Sequence, residues 1–168
     1  MPDLDTLGTI LTYSDWANRR LLGSAAPLAD AALDQTFDIG PGSLRRTLLH
    51  IHAGEDVWLR RWKGEAHTPW PNEKERVTID ALAERFAHTR SQRDAFLATL
   101  SRADLTRLQP YRDSRGSMFQ ATLGDMLLQG CIHSIHHRAQ AVNILRRLGA
   151  SPPELDFMMS VRKPAPAS

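Results

Sequence analysis

The sequence predicts an all-α protein: an up-and-down-type four-helix bundle with one long connection and a short hairpin or loop before the last helix. Three observations point there. Four long stretches carry apolar residues every three or four positions, the spacing of one helix face. Each is bounded by a capping residue, a glycine or a proline. Before the last of them, residues 105–120 lack a helical stripe and have turn chemistry at their centre. With 168 residues, the chain has room for one domain around one sizeable core. That domain is expected over residues 1–160, with "VRKPAPAS" (161–168) as a disordered tail.

The first helix is expected over about 3–25, with Asp3 as its N-cap and Pro27 just past its end. Leu4, Leu7, Leu11 and Leu21 fall close to one face. The second opens at "PGS", where Ser43 can cap, and stops at Lys63-Gly64. Leu44, Leu48, Ile51, Glu55, Trp58 and Trp62 recur along it at helical spacing. "EAHTPWPNEKER" follows as the long connection. The third helix starts after Thr78 and buries Ile79, Leu82, Phe86, Phe96 and Leu100. Within "LTRLQPYRDSRGSMFQ" (105–120), the "DSRGS" stretch marks the turn. The fourth helix is expected over about 121–148, ending at Gly149. Its inward positions are Leu123, Leu127, Gly130, Ser134, His137, Ala141, Ile144 and Leu148.

Composition narrows the function. The chain is 42% apolar and 24% charged, ordinary for a globular protein. No apolar run approaches the roughly 20 residues needed to cross a bilayer. The acidic "MPDLDTLGTI" start does not read as a secretory signal, and the lone Cys131 cannot form an intramolecular disulfide. A cytoplasmic location is therefore expected. The net charge is only +2, and arginines occur as the pairs Arg19-Arg20, Arg45-Arg46, Arg60-Arg61 and Arg146-Arg147. Such spread pairs are expected on solvated helix faces, which argues against a nucleic-acid binder with its charge gathered into one stripe. The chain lacks C-x-x-C, H-E-x-x-H, a glycine-rich phosphate loop and G-x-S-x-G, which removes several common enzyme classes.

"CIHSIHHRAQ" (131–140) is the chemically loaded stretch. His137 lies on the inward stripe, and His133 sits about 40° from it on the same side. His136 points about 100° away, and Cys131 is about 200° round the helix from His133. Two imidazoles facing a core must each place both ring nitrogens. A shared divalent cation meets that need; hydrogen bonding across the bundle is the alternative. A third ligand must come from elsewhere. The second helix offers His50, beside Thr47, Gly54 and Val57, and His52, beside Leu48, Asp56 and Leu59. Helix geometry leaves that choice open. Either would complete a three-histidine set with open coordination positions. His67 and His88 have no such context.

These residues resemble the DinB-like (DinB/YfiT) four-helix metalloproteins. "YSDWANRRLL" (13–22) is similar to the aromatic-x-x-Trp-Ala-Asn pattern of that family's first helix, and "GSLRRTLLHIHAGEDVWLRRWKG" (42–64) to its second. "HSIHHRAQ" (133–140) resembles the hallmark His-x-x-x-His-Arg-Gly-Gln, and "LRRLGASPPELDFM" (145–158) the usual Leu-Gly-x-x-Pro-Pro-x-x-Asp ending. Ala139 departs from the pattern, where glycine is usual. The resemblance implies a metal triad of His50, His133 and His137, zinc or nickel as the ion, and often a homodimer. It also implies chemistry with a low-molecular-weight thiol, either S-transfer to electrophiles or isomerisation of maleylpyruvate. A three-histidine ion with open positions fits, since it can lower the pKa of a thiol.

The leading expectation is thus a metal-dependent thiol S-transferase acting on a small-molecule substrate. A metal-dependent hydrolase is the runner-up, because the same ion can activate water. A non-catalytic metal-binding stress protein and an arginine-rich nucleic-acid module are the readings from other classes. Glu55 and Gln140 are candidate catalytic or ligand-orienting residues, with a bundle arginine as the alternative partner of Glu55. Tyr13 and Trp16 are candidate pocket residues, Trp58 and Trp62 core, and Arg138 a surface salt-bridge residue.

Overall fold

The computed structural model describes residues 3–164. Four long helices dominate: α1 (Leu4–Ala25), α3 (Leu44–Trp62), α4 (Ile79–Leu97) and α5 (Leu123–Arg147). Two short helices, α2 (Asp30–Asp34) and α6 (Phe157–Val161), flank them. Every long helix starts with a side-chain cap: Asp3, Ser43, Thr78 and Thr122 each accept from a backbone N–H three residues on. Gly64 and Gly149 have φ of +95° and +71°, the left-handed conformation that ends α3 and α5. Of the tail expected over 161–168, Val161 closes α6 and residues 165–168 lie outside the described residues. Among the described residues, no helix is long and apolar enough to cross a membrane.

The expected hairpin is present. Strands β1 (Leu108–Arg112) and β2 (Met118–Thr122) pair antiparallel, with Leu108 opposite Thr122 and Arg112 opposite Met118. Asp113 Oδ1 accepts from the N–H groups of Arg115 and Ser117 at 2.9 and 2.8 Å and closes the turn. Gln109 Nε2 donates to the Arg61 and Trp62 carbonyls at 2.9 and 2.7 Å, so the hairpin satisfies carbonyls at the C-terminal end of α3.

The core falls into two apolar clusters. One gathers Leu21, Leu44, Leu48, Ile51, Leu82, Phe86 and Ile144; the other gathers Leu7, Trp58, Trp62, Leu105, Leu123 and Leu127, with Phe96 against it. Each long helix touches both, so the order of its residues gives its direction. From α1 to α5 the four run up, down, down, up. Alternation breaks between α3 and α4, and the long connection, residues 63–78, has to travel back along the bundle. α5 packs on both α3 and α1, and α4 on both as well, so each helix has two flanking neighbours.

A polar layer separates the clusters. Arg138 is 2% exposed and lies inside it, donating to Asn18 Oδ1 at 3.1 Å and Ser14 Oγ at 3.0 Å. This corrects its expected surface role. Its side chain also lies over the Tyr13 ring. Arg93 of α4 grips Asp15 of α1 with two hydrogen bonds of 2.9 and 2.7 Å. The arginine pairs do not all mark solvated faces either. Arg45 and Arg61 are buried while their neighbours Arg46 and Arg60 are not, because adjacent helix positions point about 100° apart. Arg45 is held by Asp30 and Asp34 of α2, which pins that short helix to α3.

Candidate metal centre

His50 on α3 and His133 and His137 on α5 converge on one point in the polar layer. Their Nε2 atoms face one another: His50 to His137 at 3.0 Å and His50 to His133 at 3.2 Å. The ring centroids stand 4.1–5.0 Å apart. The packing of α3 on α5 makes this approach possible. A Cβ on Gly54 would overlap the His133 ring, so only glycine lets that ring lie against the α3 backbone.

Hydrogen bonds on the far side of two rings fix their tautomers. Glu73 Oε1 accepts from His50 Nδ1, and Gln140 Oε1 accepts from His137 Nδ1 at 2.7 Å. Both Nε2 atoms therefore carry lone pairs toward the centre. Two acceptors 3.0 Å apart cannot hydrogen-bond each other in the neutral state. A divalent cation fits this donor set. At nitrogen–metal distances of about 2.0–2.1 Å, tetrahedral ligands stand about 3.3 Å apart, close to the spacing seen. Burial, then the neighbouring His137 and His50, push the His133 pKa down to about 3, which keeps its lone pair free. Burial lowers that of His137 as well. His133 Nδ1 is buried with no partner, the one ring nitrogen of the three left unsupported on its outer side.

Glu73 and its neighbour Trp70 come from the long connection, and periodicity gave no sign of them. Trp70 donates through Nε1 to Glu73 Oε1, and its ring centroid lies 5.0 Å from that of His50. Burial alone would raise the Glu73 pKa, but hydrogen bonds from His50 and Trp70 outweigh it and hold the carboxylate below its usual range. The available signal was "TPWP", a tryptophan between two prolines that stiffen the segment carrying it, with an acid three residues after the tryptophan.

The other candidates separate cleanly. Gln140 lies against Gly40, where a Cβ would collide with its amide, and orients His137. His136 flanks it, 3.1 Å from Gln140 Nε2. His52 faces α4 instead, where Nε2 meets Thr89 Oγ1 at 3.2 Å and the ring stacks edge-on with Phe86. Glu55 joins the interior network: its carboxylate accepts from Asn18 Nδ2 at 2.8 Å and Ser134 Oγ at 3.3 Å. Cys131 is buried beside it. Tyr13 and Trp16 do not reach the histidines. The Tyr13 hydroxyl donates to the Leu155 carbonyl at 2.7 Å, and its ring meets Phe157 of α6. His67 and His88 are exposed.

A cleft of about 480 Å³ opens beside the histidines, between α3, the long connection, the hairpin and α5. His133 contributes to its lining, together with Trp58, Trp70 and Tyr111. A space of this size and aromatic character suits a small organic molecule.

Comparison with known proteins agrees with this architecture. The model of the DinB family matches residues 1–164. A DinB-like protein from Bacillus cereus ATCC 10987 superposes with a TM-score of 0.71 at 20% identity, over 90% of this chain and 97% of that one. A DinB family member from Shewanella denitrificans gives 0.66 at 19% identity, over 98% of this chain and 100% of that one. No protein with a curated description matches the chain. The four-helix architecture and the family match over nearly the whole length agree: the chain belongs to the DinB family.

Proposed function

We propose that His50, His133 and His137 hold one divalent ion, zinc or nickel, and that the protein is a metal-dependent enzyme which activates a low-molecular-weight thiol for transfer to a small electrophile. The convergence of three imidazole Nε2 atoms, two of them with tautomers fixed from behind, carries this reading. The metal-capable cluster contains no fourth protein ligand among the described residues. Catalytic sites keep such a position open, whereas structural and storage sites close it. When bound, the ion supplies Lewis acidity, lowering the pKa of a thiol or water that reaches an open position.

The chain's own residues do the rest. Glu73 and Gln140 set the orientation of His50 and His137. Trp70 covers one side of the His50 ring, and the cleft next to His133 gives a substrate its approach. A cytoplasmic site of action fits a chain whose only thiol is a buried cysteine. The homodimer common in the family has an apolar patch available in Ile132 and Ile135, both exposed on α5.

Metal analysis of tag-free protein tests the centre. About one divalent ion per chain is expected, lost in His50→Ala and His137→Ala and kept in His52→Ala. Retention in His50→Ala sinks the assignment. The reaction is tested by electrophile consumption with glutathione, mycothiol and bacillithiol, before and after metal removal. Turnover that needs metal but no thiol would assign hydrolysis instead. Turnover indifferent to metal removal overturns both.

A further inference from the structure

The cleft contains one fixed cation among its described lining residues, Arg61, and this cation is unusually underused. Arg61 is 7% exposed. Its guanidinium packs against the Trp58 ring at 4.8 Å and the Tyr111 ring at 5.4 Å, two neighbouring aromatic groups that steady its position. Of its nitrogens only Nη2 has a protein acceptor, the Arg112 carbonyl at 2.8 Å; Nε is buried with no partner at all. No carboxylate forms an ion pair with it among the described residues. Buried guanidinium groups are normally neutralised, as Arg93 is by Asp15 and Arg45 by Asp34 in this same protein. Among the described residues, Arg61 and Arg138 both lack such an ion pair; Arg138 is enclosed in the polar layer, and of the two only Arg61 lines the cleft that His133 also lines.

The two acids lining the cleft make no hydrogen bond or ion pair with it, and Asp113 favours its charge only from a distance. Asp113 is committed through Oδ1 to the hairpin turn, and Asp125 through Oδ2 to the Thr122 hydroxyl that caps α5. We infer that Arg61 is the anchor for a carboxylate on the molecule that occupies the cleft, so that the ligand is a small organic acid whose body rests on the cleft's aromatic side chains. A planar guanidinium largely shielded from water and packed against two rings gives a carboxylate a preorganised, charge-assisted partner. The cation would thus select acids and set the end of the molecule that points away from the histidines. This deepens the proposed function, since it names a feature of the substrate at the same cleft. The carboxylate could belong to the electrophile or to the thiol, and two probe pairs separate these sources.

Hydrocinnamate and its amide stand for the electrophile; N-acetylcysteine and its amide stand for the thiol. Binding is followed by tryptophan fluorescence, because Trp58 and Trp70 line the cleft. It is followed also by the Arg61 Nε–H resonance, identified by its loss in Arg61→Lys. Full-length protein is used as purified and again after metal removal, since a carboxylate seated on the ion would lose its advantage in the second condition. At least one acid is expected to bind about tenfold or more tighter than its amide in both conditions and to shift the Arg61 resonance. Arg61→Gln is expected to erase that preference. If Arg61→Gln fails to fold, the resonance shift in the natural protein decides. Equal binding of acid and amide in both pairs, an unmoved resonance, or a preference confined to metal-loaded protein overturns the assignment. The metal content of the same samples reads the histidine centre separately, so failure of one reading is distinguishable from failure of the other.

Discussion

Cys131 and Glu55 lie on the same helices as the histidine cluster, yet their surroundings give them other roles. Burial, with the Glu55 carboxylate next, pushes the Cys131 thiol up to about 11, so it stays protonated and shielded at neutral pH. The thiol of any transfer reaction must then come from outside the chain. Native protein at pH 8 is expected to leave Cys131 unmodified by a disulfide reagent until denaturant is added; rapid labelling of the folded state would contradict this. Glu55 keeps some accessible surface as a residue, but its carboxylate is enclosed between helices, and burial raises its pKa against the pull of Asn18 and Arg138. A carboxyl with a raised native pKa favours the folded state most below its unfolded value of about 4.5 and loses that advantage as pH rises through the native value. Unfolding free energies should therefore show natural protein losing ground to Glu55→Gln as pH climbs from 4 to 8. A constant difference, or one of opposite sign, would remove the argument.

Helix-scale features decided what the sequence could reveal. The α5 pair was legible because a spacing of four residues puts His133 and His137 on one face whatever the partner helix is. Ser43, Thr78, Gly64 and Gly149 likewise announced helix ends through local chemistry alone. The choice between His50 and His52 needed the crossing of α3 over α5, which periodicity does not contain; the family resemblance supplied it. The connection was harder still. Glu73 and Trp70 act through contacts twenty or more residues distant in sequence, on a segment with no repeat to read. The arginine pairs misled for a related reason: hydrophilicity marks a residue as costly to bury, but not whether Asp30, Asp34 or an aromatic face waits inside. The connection's role can be measured. Glu73→Gln keeps an acceptor for His50 but removes the charge, and metal affinity is expected to fall about 10- to 100-fold with the fold unchanged. Unaltered affinity would make Glu73 a bystander.

Across the whole molecule, the break in alternation explains where the centre sits. Because α3 and α4 run the same way, the chain between them must pass the polar layer, and that passage delivers Trp70 and Glu73 to His50. The two apolar clusters close the ends of the bundle and leave the middle to Ser14, Asn18, Glu55, Ser134, Arg138 and the histidines. A middle layer of this kind holds the bundle less tightly than apolar packing does. An ion held there would tie α3 to α5 across a sequence separation of 83 to 87 residues. On the proposed reading it would bind the folded arrangement and not the dispersed chain, so stability should rise with free metal by about 4 kcal/mol at a thousandfold excess over Kd. For a domain of this size that corresponds to a Tm increase of roughly 8–16 °C. Melting curves in excess zinc or nickel and in chelator should differ by this order in the natural protein, by less in Glu73→Gln at limiting metal, and not at all in His137→Ala. If the natural protein melts identically in both conditions, the three histidines do not hold an ion that matters to the fold.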